Sequence, residues 1–202
     1  MKKNLLISVL MTIVTTVLLG IIYPLVVTGL AQLFFKDKAN GQLILQNGQV
    51  VGSRIIGQAF TSPAYFHSRP SNAGNGYDAA NSNGSQLGPT NHALMDRVKA
   101  DVATNQADHP GQPVPIDLVT ASASGLDPDI SPAAAEFQVK RVATQRGATE
   151  DQIRQVVQQH LQPRQLGFLG EPRVNVLELN LDLDRRFPLK KQAQAEQTRG
   201  SD

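Results

Sequence analysis

An uncharged stretch near the N-terminus constrains this chain more than any other feature. It runs from Leu5 to Val27, reads LLISVLMTIVTTVLLGIIYPLVV, and contains no Asp, Glu, Lys, Arg or His. As a helix rising about 1.5 Å per residue it would extend roughly 35 Å, more than the roughly 30 Å of a bilayer's hydrocarbon core. A helix also satisfies its backbone hydrogen bonds internally, as lipid requires. We therefore predict a membrane anchor within residues 1–35, and one without any ionisable group to conduct ions or protons.

A cleaved secretory signal is the alternative interpretation of the same stretch. Lys2 and Lys3 would form its basic region, and Gly29-Leu30-Ala31 would be a small-residue cleavage site. The apolar run is longer than the roughly 7–15 residues of a signal core, which favours the anchor. A mature protein beginning at Gln32 would contradict the anchor.

Small residues follow one register of the predicted membrane helix, with Pro24 filling the gap in the row. A row of small residues lets a second helix approach closely, and hydroxyl groups can bond across the contact. Alternatively, the hydroxyls bond only to carbonyls of their own helix. We predict that the row packs against a membrane partner; it comprises Ser8, Thr12, Thr16, Gly20 and Thr28.

Composition excludes several classes of function. The chain has 19 basic and 17 acidic residues and no basic block, so it is not predicted to bind nucleic acid. It has no cysteine, which excludes disulfides, thiol catalysis and cysteine-bound zinc. Lys2 and Lys3 favour a cytoplasmic N-terminus and hence an extracytoplasmic soluble domain, although Lys36 and Lys38 oppose this bias.

Residues 36–189 are predicted to form one soluble α+β domain, and residues 190–202 a disordered tail. Asn47-Gly48, between two short apolar runs, predicts a hairpin turn. The segment Thr61–Asn91 is rich in Ser, Asn, Gly and Pro, which leaves disorder open. Its interspersed aromatic residues favour an ordered loop that binds a partner.

Helix signals dominate the rest of the domain. We predict a helix over Thr90–Thr104, capped by Thr90 or Asn91, and a strand over Val114–Thr120. A second helix is predicted to begin after Ser131 as its N-cap, with Pro132 in its first turn, and to end at Gly147. A third is predicted to begin at a capping box formed by Thr149 and Gln152 and to end before Pro163. Apolar and polar residues alternate over Val174–Leu183, but two apolar residues follow each other at Val176-Leu177 and shift the pattern by one position. This shift predicts either a bulged strand or a strand running into a short helix.

No constellation of side chains predicts catalysis or a metal site. Asp127, Asp129 and Ser131 imitate the start of a calcium loop, but Pro132 replaces its required glycine. His67 with Arg69 could bind an anion or anchor a loop. The chain is therefore not predicted to be an enzyme by itself.

Four stretches together resemble one protein family across nearly the whole chain. They are Gly57–Phe60, YFHSRPS at Tyr65–Ser71, PIDLVTASASGLDPDISPAAA at Pro115–Ala135, and VNVLELNL at Val174–Leu181. The sequence is identified by them as similar to the C subunit of the Kdp potassium-transporting P-type ATPase.

The resemblance implies a single-pass protein of the bacterial inner membrane. Its partners would be a potassium-translocating A subunit, an ATP-hydrolysing B subunit and a small membrane F subunit. The family is described as an assembly factor and a catalytic chaperone that raises the B subunit's affinity for ATP. No tightly bound cofactor is implied, only ATP in a transient ternary complex.

Two sets of site residues follow from the resemblance. A family segment reading Ser-Gly-Gly-Ser-Asn is likened to a nucleotide signature, and it corresponds here to Ser82, Asn83, Gly84, Ser85 and Gln86, with changes at Asn83 and Gln86. Contacts with the A subunit are expected from the Thr61–Asn91 loop and the turn at Asp127, with Tyr65, Phe66 and Arg69 as further candidates. The alternative function is a stand-alone membrane-anchored enzyme or binding protein.

Overall fold

The computed structural model describes residues 2–189, so the predicted disordered tail at 190–202 lies outside the described residues. The chain divides into two compact units, one ending at Ser53 and the other beginning at Arg54. An apolar N-terminal helix is followed by helices and small sheets, which confirms the predicted α+β class. The predicted boundary between residues 35 and 36 stays a prediction.

The first unit contains one helix long and apolar enough to cross a membrane, Lys2–Phe34, with a mean hydropathy of 2.7 in its most apolar window. It comprises α1 (Lys2–Thr15), a π-helical segment (Thr16–Ile22) and α2 (Tyr23–Phe34). The amide of Tyr23 donates to the carbonyl of Leu18, five residues back. The π segment ends just before Pro24, whose ring removes an α-helical hydrogen bond and crowds the preceding turn. A π adjustment is one way in which membrane helices accommodate proline.

A short helix and a hairpin complete the first unit: α3 (Lys36–Ala39), β1 (Leu43–Gln46) and β2 (Gln49–Ser53). The strands pair antiparallel through Asn47 and Gly48, whose φ angles are +52° and +78°. These positive angles are what an Asn-Gly turn supplies, so the predicted hairpin is confirmed.

The second unit opens with an irregular segment up to Asn91, and then contains four helices and a small sheet. The sheet has the order β3-β5-β4, with both pairs antiparallel. In chain order the elements are α4 (His92–Asp108), a 3₁₀ turn (Ile116–Leu118), β3 (Asp129–Ile130), α5 (Pro132–Arg146), α6 (Glu150–Gln159), β4 (Leu161–Gln162), β5 (Arg173–Asn175) and α7 (Val176–Arg186).

The core of the second unit lies where α5, α6, α7 and the sheet meet. Its largest fully buried side chains include Phe66, Ile130, Ile153, Leu179 and Leu183. Phe66 is contributed by the irregular segment, which is therefore packed against the core as its aromatic residues predicted.

Local capping signals agree with the structure. Ser131 and Thr149 cap α5 and α6 with their hydroxyls, and Gln152 completes the predicted capping box. Gly147 ends α5 at φ +65°, a conformation that glycine adopts without a steric penalty.

Two predicted elements differ from the structure, and the structure decides one alternative that the sequence left open. The predicted strand Val114–Thr120 is wrong, because its centre is a single 3₁₀ turn. The side-chain carboxylate of Asp117 in this turn accepts a hydrogen bond of 2.7 Å from the amide of Ser131. Helix α4 starts two residues later than predicted, with Asn91 as its cap, and continues to Asp108. At Val174–Leu183 the second alternative holds, because β5 runs directly into α7.

Candidate functional site

The four stretches that carry the resemblance come together in the second unit. The amide of Gly57 donates to the carbonyl of Leu126 at 2.8 Å, and the amide of Val176 donates to that of Pro128 at 3.0 Å. A Cβ atom at Gly57 would lie 2.6 Å from the carbonyl oxygen of Asp127, so this approach is open only to glycine. The turn before β3 is thus held from two sides by backbone contacts.

Arg69 and Asp127, two predicted contact residues, bind each other. Arg69 Nη1 lies 3.0 Å from Asp127 Oδ2, and its remaining nitrogens donate to the carbonyl and hydroxyl of Thr120 at 3.3 and 3.4 Å. The two side chains are 27% and 30% exposed, so the pair is partly shielded from solvent. All three guanidinium nitrogens are engaged, which favours the loop-anchor interpretation of Arg69 over an anion site.

Tyr77 and Ser71 fasten the rest of the loop to the same turn. The Tyr77 hydroxyl donates to the carbonyl of Arg69, and burial raises the pKa of this hydroxyl. The Ser71 hydroxyl donates to the carbonyl of Gly125 at 2.6 Å. Gly125 has a φ of +69°, and a Cβ there would lie 2.7 Å from the amide nitrogen of Ala73. The loop and the turn therefore form one tightly packed body.

Tyr65 and Phe66 are anchored by α5 and α7. Tyr65 Oη donates to Asp184 at 3.1 Å, and the guanidinium of Arg146 lies 4.8 Å from the Tyr65 ring centre. Phe66 is fully buried, and both of its backbone polar groups bond to the side chain of Asn180 at 2.9 Å. Contact between Phe66 and another subunit would thus require the loop to open.

The segment proposed to bind nucleotide packs along the turn at Ser124. Ser82 Oγ and the amide of Asn83 donate to the carbonyl of Ser124 at 2.9 and 3.0 Å. A Cβ at Gly84 would lie 2.8 Å from the carbonyl oxygen of Ala123, so close packing requires this glycine. Gln86, at φ +52°, donates to the side chain of Asn83 at 2.8 Å. The signature-like pattern thus has a structural role that does not depend on a phosphate.

The remaining member of that segment, Ser85, is half-buried. Its hydroxyl accepts a hydrogen bond of 3.5 Å from the amide of Leu87, two residues on. This contact is local and long, so it orders the turn only weakly.

A pocket of about 410 Å³ lies beside Arg69, between the loop and α4. Burial raises the pKa of Asp101 on its wall, although nearby Arg97 acts to lower it. The lining contains no glycine, so it lacks the turn of backbone amides that typically cradles a phosphate. The lining residues are Ala59, Phe60, Thr61, His67, Ser68, Arg69, Pro70, Tyr77, Asp101, Asn105 and Leu118.

A charged cluster joins the end of α6 to α7. His160 Nε2 lies 3.0 Å from Asp182 Oδ2, and Arg186 Nη2 lies 2.9 Å from the same oxygen. Burial acts to raise the pKa of Asp182, but the hydrogen bonds from His160 and Arg186 outweigh it and the pKa is lowered. His160 is thus half-buried and makes a polar contact with α7.

Sequence reasoning missed the polar residues that hold the loop. Gln138 and Asn180 are 3% and 1% exposed, and each binds both backbone groups of one loop residue, His67 and Phe66 respectively. A signal existed for Gln138, because it lies four residues from Ala134 and from Val142 on the buried stripe of α5. An amide on an apolar stripe indicates a buried hydrogen-bonding duty.

In the membrane helix, the hydroxyls of Ser8 and Thr12 bond to the helix's own carbonyls, those of Leu5 and Ser8, at 2.8 and 2.9 Å. Their polar atoms are therefore satisfied without a partner, as the second interpretation of the row expected. The packing of the row against a membrane partner stays a prediction.

The π segment changes how the row of small residues is presented. A four-residue step overshoots a full turn by roughly 40° in an α-helix and falls short by about as much in a wider π-helix. In a plain α-helix the side-chain positions of Ser8 and Thr28 would therefore differ by roughly 200° about the helix axis. With ideal π geometry over Thr16–Ile22 this angle falls to roughly 80°. The small residues thus share one face.

Among residues 2–189, no group of three or more His, Cys, Asp or Glu side chains is placed to hold a metal ion. Asp127 and Asp129, the apparent calcium ligands, instead bind Arg69 and Arg173 at 3.0 and 2.9 Å. The polar groups of this region are used for internal cohesion.

Comparison with known proteins identifies close relatives. Residues 5–185 match the model of a family described as the c chain of a K⁺-transporting ATPase, KdpC. A protein of Koribacter versatilis is 68% identical over 189 residues, covering 94% of this chain and 98% of the relative. One of Acidobacterium capsulatum is 56% identical over 178 residues, covering 88% and 96%. One of Rhodospirillum rubrum is 57% identical over 176 residues, covering 86% and 91%. Each relative is named as a potassium-transporting ATPase KdpC subunit.

Proposed function

The chain belongs to the KdpC family of K⁺-transporting ATPase subunits, and we propose that it assembles an ATP-driven potassium uptake complex without catalysing a reaction itself. It is an accessory subunit of a potassium transport complex. The partners we propose are the potassium-translocating A subunit, the ATP-hydrolysing B subunit and the small F subunit.

One observation carries this proposal: Arg69, Asp127 and Asn180, polar residues of the family stretches, bind other groups of the same unit. Arg69 binds Asp127 and Thr120, and Asn180 binds the backbone of Phe66. Catalysis needs a nucleophile, acid or base within reach of a substrate. Arg69 is engaged through all three guanidinium nitrogens and Asn180 is buried, so neither supplies such a group. A rigid, internally paired body is instead suited to docking, because its shape is set before it binds.

The membrane helix supplies the second part of the proposal, which is a packing face. The aligned row from Ser8 to Thr28 lets another helix approach closely, in the manner of small-residue contacts in lipid. We place the chain as a single-pass inner-membrane protein with a cytoplasmic N-terminus and an extracytoplasmic soluble domain.

An extracytoplasmic domain cannot touch ATP bound in the cytoplasm. A chaperone effect on the B subunit would then act through a shared conformational equilibrium, in which each site biases the other. A direct contact, with ATP in a transient ternary complex, would require Ser82, Gly84, Ser85 and Gln86 to face the cytoplasm.

Cysteine labelling separates these two arrangements, because the chain has no native cysteine. Asn75→Cys is the test position, since Asn75 is exposed at a loop tip, and Asn105→Cys on α4 is a second. Labelling of intact, energised cells by an impermeant maleimide is expected. Protection until the cells are lysed would contradict the outside location and favour the direct contact.

Gene deletion tests the accessory role. Loss of ATP-driven potassium uptake, restored by a plasmid copy, is the expected result. Normal uptake in the deletion strain, together with substrate turnover by the purified chain, would instead support the stand-alone enzyme.

A further inference from the structure

The loop between β4 and β5 carries an exposed apolar tip. Leu166, Phe168 and Leu169 are 83%, 70% and 48% exposed, although they lie within four residues of one another. Single exposed apolar side chains are ordinary, but a contiguous group that includes an aromatic ring marks an interaction surface. We call these three residues the apolar tip.

The apolar tip has a fixed shape. Gln165 and Leu169 exchange two backbone hydrogen bonds, each 2.9 Å long, and the amide of Gly167 donates to the carbonyl of Arg164 at 3.2 Å. Arg164 Nη2 also lies 2.6 Å from Glu171 Oε2, closing the base of the loop. The tip is thus pre-organised, which lowers the entropy lost on binding.

Leu166 holds its side chain outward at a conformational cost. Its φ is +53°, a left-handed conformation that leucine rarely adopts and that asparagine tolerates. Strain of this kind concentrates at functional positions.

The charges around the tip distinguish a protein partner from a lipid surface. Arg164 is paired with Glu171 and Arg173 with Asp129, so residues 163–173 present no unpaired cation among the described contacts. They also contain no Lys, Trp or Tyr. A loop that inserts into an anionic membrane surface typically carries free Lys or Arg side chains, with Trp or Tyr at the level of the headgroups. A neutral, rigid knob instead fits an apolar pocket on another protein.

We infer that the apolar tip docks into an apolar pocket on another subunit of the potassium-transporting ATPase. Phe168 would fill the pocket, and Leu166 and Leu169 would seal its rim against water, as in a buried interface hot spot. The inference rests on the proposed function, because it takes the occupant from the same complex.

Site-specific photocrosslinking tests the occupant in the full-length chain in intact cells. Benzoylphenylalanine replaces Phe168, and in a matched control it replaces Ile116, which is 71% exposed in the same unit. A crosslink from position 168 to another subunit of the ATPase is expected, with a different product or none from position 116. Crosslinks from position 168 only to lipid would overturn the inference in favour of membrane insertion. Crosslinks only to a second copy of this chain would overturn it in favour of self-association.

A paired substitution measures the contribution of the tip to assembly. Leu166→Asn with Phe168→Ser removes the apolar surface but keeps a residue that accepts positive φ, so the loop should retain its fold. We expect at least about a tenfold loss of co-purification with the other subunits, as for a hot spot. Ile116→Thr should co-purify normally.

The outcomes separate the inference from the function on which it rests. If the paired variant co-purifies as well as the wild type, the tip is not a docking surface, although the accessory role stands. If even the wild-type chain fails to co-purify with the ATPase subunits, the proposed function itself is contradicted.

Discussion

Replacing Asn180 by alanine tests the idea that buried amides hold the irregular loop in place. The Asn180 side chain is 1% exposed and makes two hydrogen bonds of 2.9 Å with the backbone of Phe66. The substitution leaves the Phe66 amide and carbonyl buried without these partners. Each orphaned group costs about 1–3 kcal/mol, and the cavity adds to this cost.

We therefore expect Asn180→Ala to lower the free energy of unfolding by about 3–5 kcal/mol, out of the roughly 5–15 kcal/mol typical of a domain. Urea denaturation of the detergent-solubilised chain, followed by circular dichroism, measures the change. Asn105→Ala is the matched control, because the hydrogen bond that the structure describes for the Asn105 side chain lies within its own helix, to the carbonyl of Asp101. That control should change the stability by less than about 0.5 kcal/mol.

Hydrogen exchange adds a local measurement to the global one. The amide of Phe66 should exchange much faster in Asn180→Ala, because it loses its acceptor, while amides in the centre of α5 change less. If both the unfolding midpoint and the Phe66 exchange rate stay at wild-type values, the loop is held by something other than Asn180 and our reasoning about it is wrong.

Three further perturbations follow from the described contacts. Gly57→Ala should cost about 1–3 kcal/mol, because its Cβ would lie 2.6 Å from a backbone carbonyl oxygen, whereas Gly88→Ala, with nothing within 4 Å, should be nearly neutral in thermal unfolding. Asp182→Asn should cost about 1–2 kcal/mol at neutral pH. Because the folded pKa of Asp182 is lowered, this difference should be present above the ordinary carboxyl value of 3.8 and vanish as pH falls through the folded value; a pH-independent difference would contradict the charge argument. Thr16→Ile with Gly20→Ile should loosen the complex in detergent by closing the small-residue face, and unchanged co-purification would count against that face.

Local signals explain what the sequence alone could predict. Some features depend on hydrogen bonds within a few residues and can therefore be predicted without the rest of the fold. They are the helix caps at Ser131 and Thr149 and the hairpin turn at Asn47-Gly48. The apolar length of the membrane helix is equally local.

The junction of β5 and α7 shows where local reasoning stops. The side chain of Asn175 caps α7, because its Oδ1 accepts from the amide of Glu178. Its Nδ2 donates to the carbonyl of Arg54 and to the carboxylate of Asp129. The shift in the alternating pattern marks this change from strand to helix, but the partners that decide between a bulge and a helix are distant. The π segment could not be predicted either, because a proline near the end of a helix does not by itself indicate seven π-helical residues.

Of the candidate site, the sequence identified stretches that the structure brings together in the second unit, but not the contacts that they make there. Arg69 and Asp127 lie in stretches chosen for contact with another subunit, and the structure pairs them with each other. Phe66 is a core residue rather than an exposed one. Neither fact follows from a linear pattern, because the pairing joins residues 58 positions apart.

The hydrogen bonds between the loop and α7 also constrain the order in which this protein folds during synthesis. The hydrogen-bond partner of the Phe66 backbone is Asn180, which lies 114 residues later in the sequence. The partner of the Tyr65 hydroxyl is Asp184, which lies 119 residues later. During synthesis the loop emerges long before α7, and contacts between residues so far apart in the sequence form late in folding. Protease digestion of chains arrested on either side of residue 180 would reveal this, and equal resistance of the shorter chain would refute it. Helix α7 is therefore the element that fixes the loop in place, after every residue before it has been synthesised.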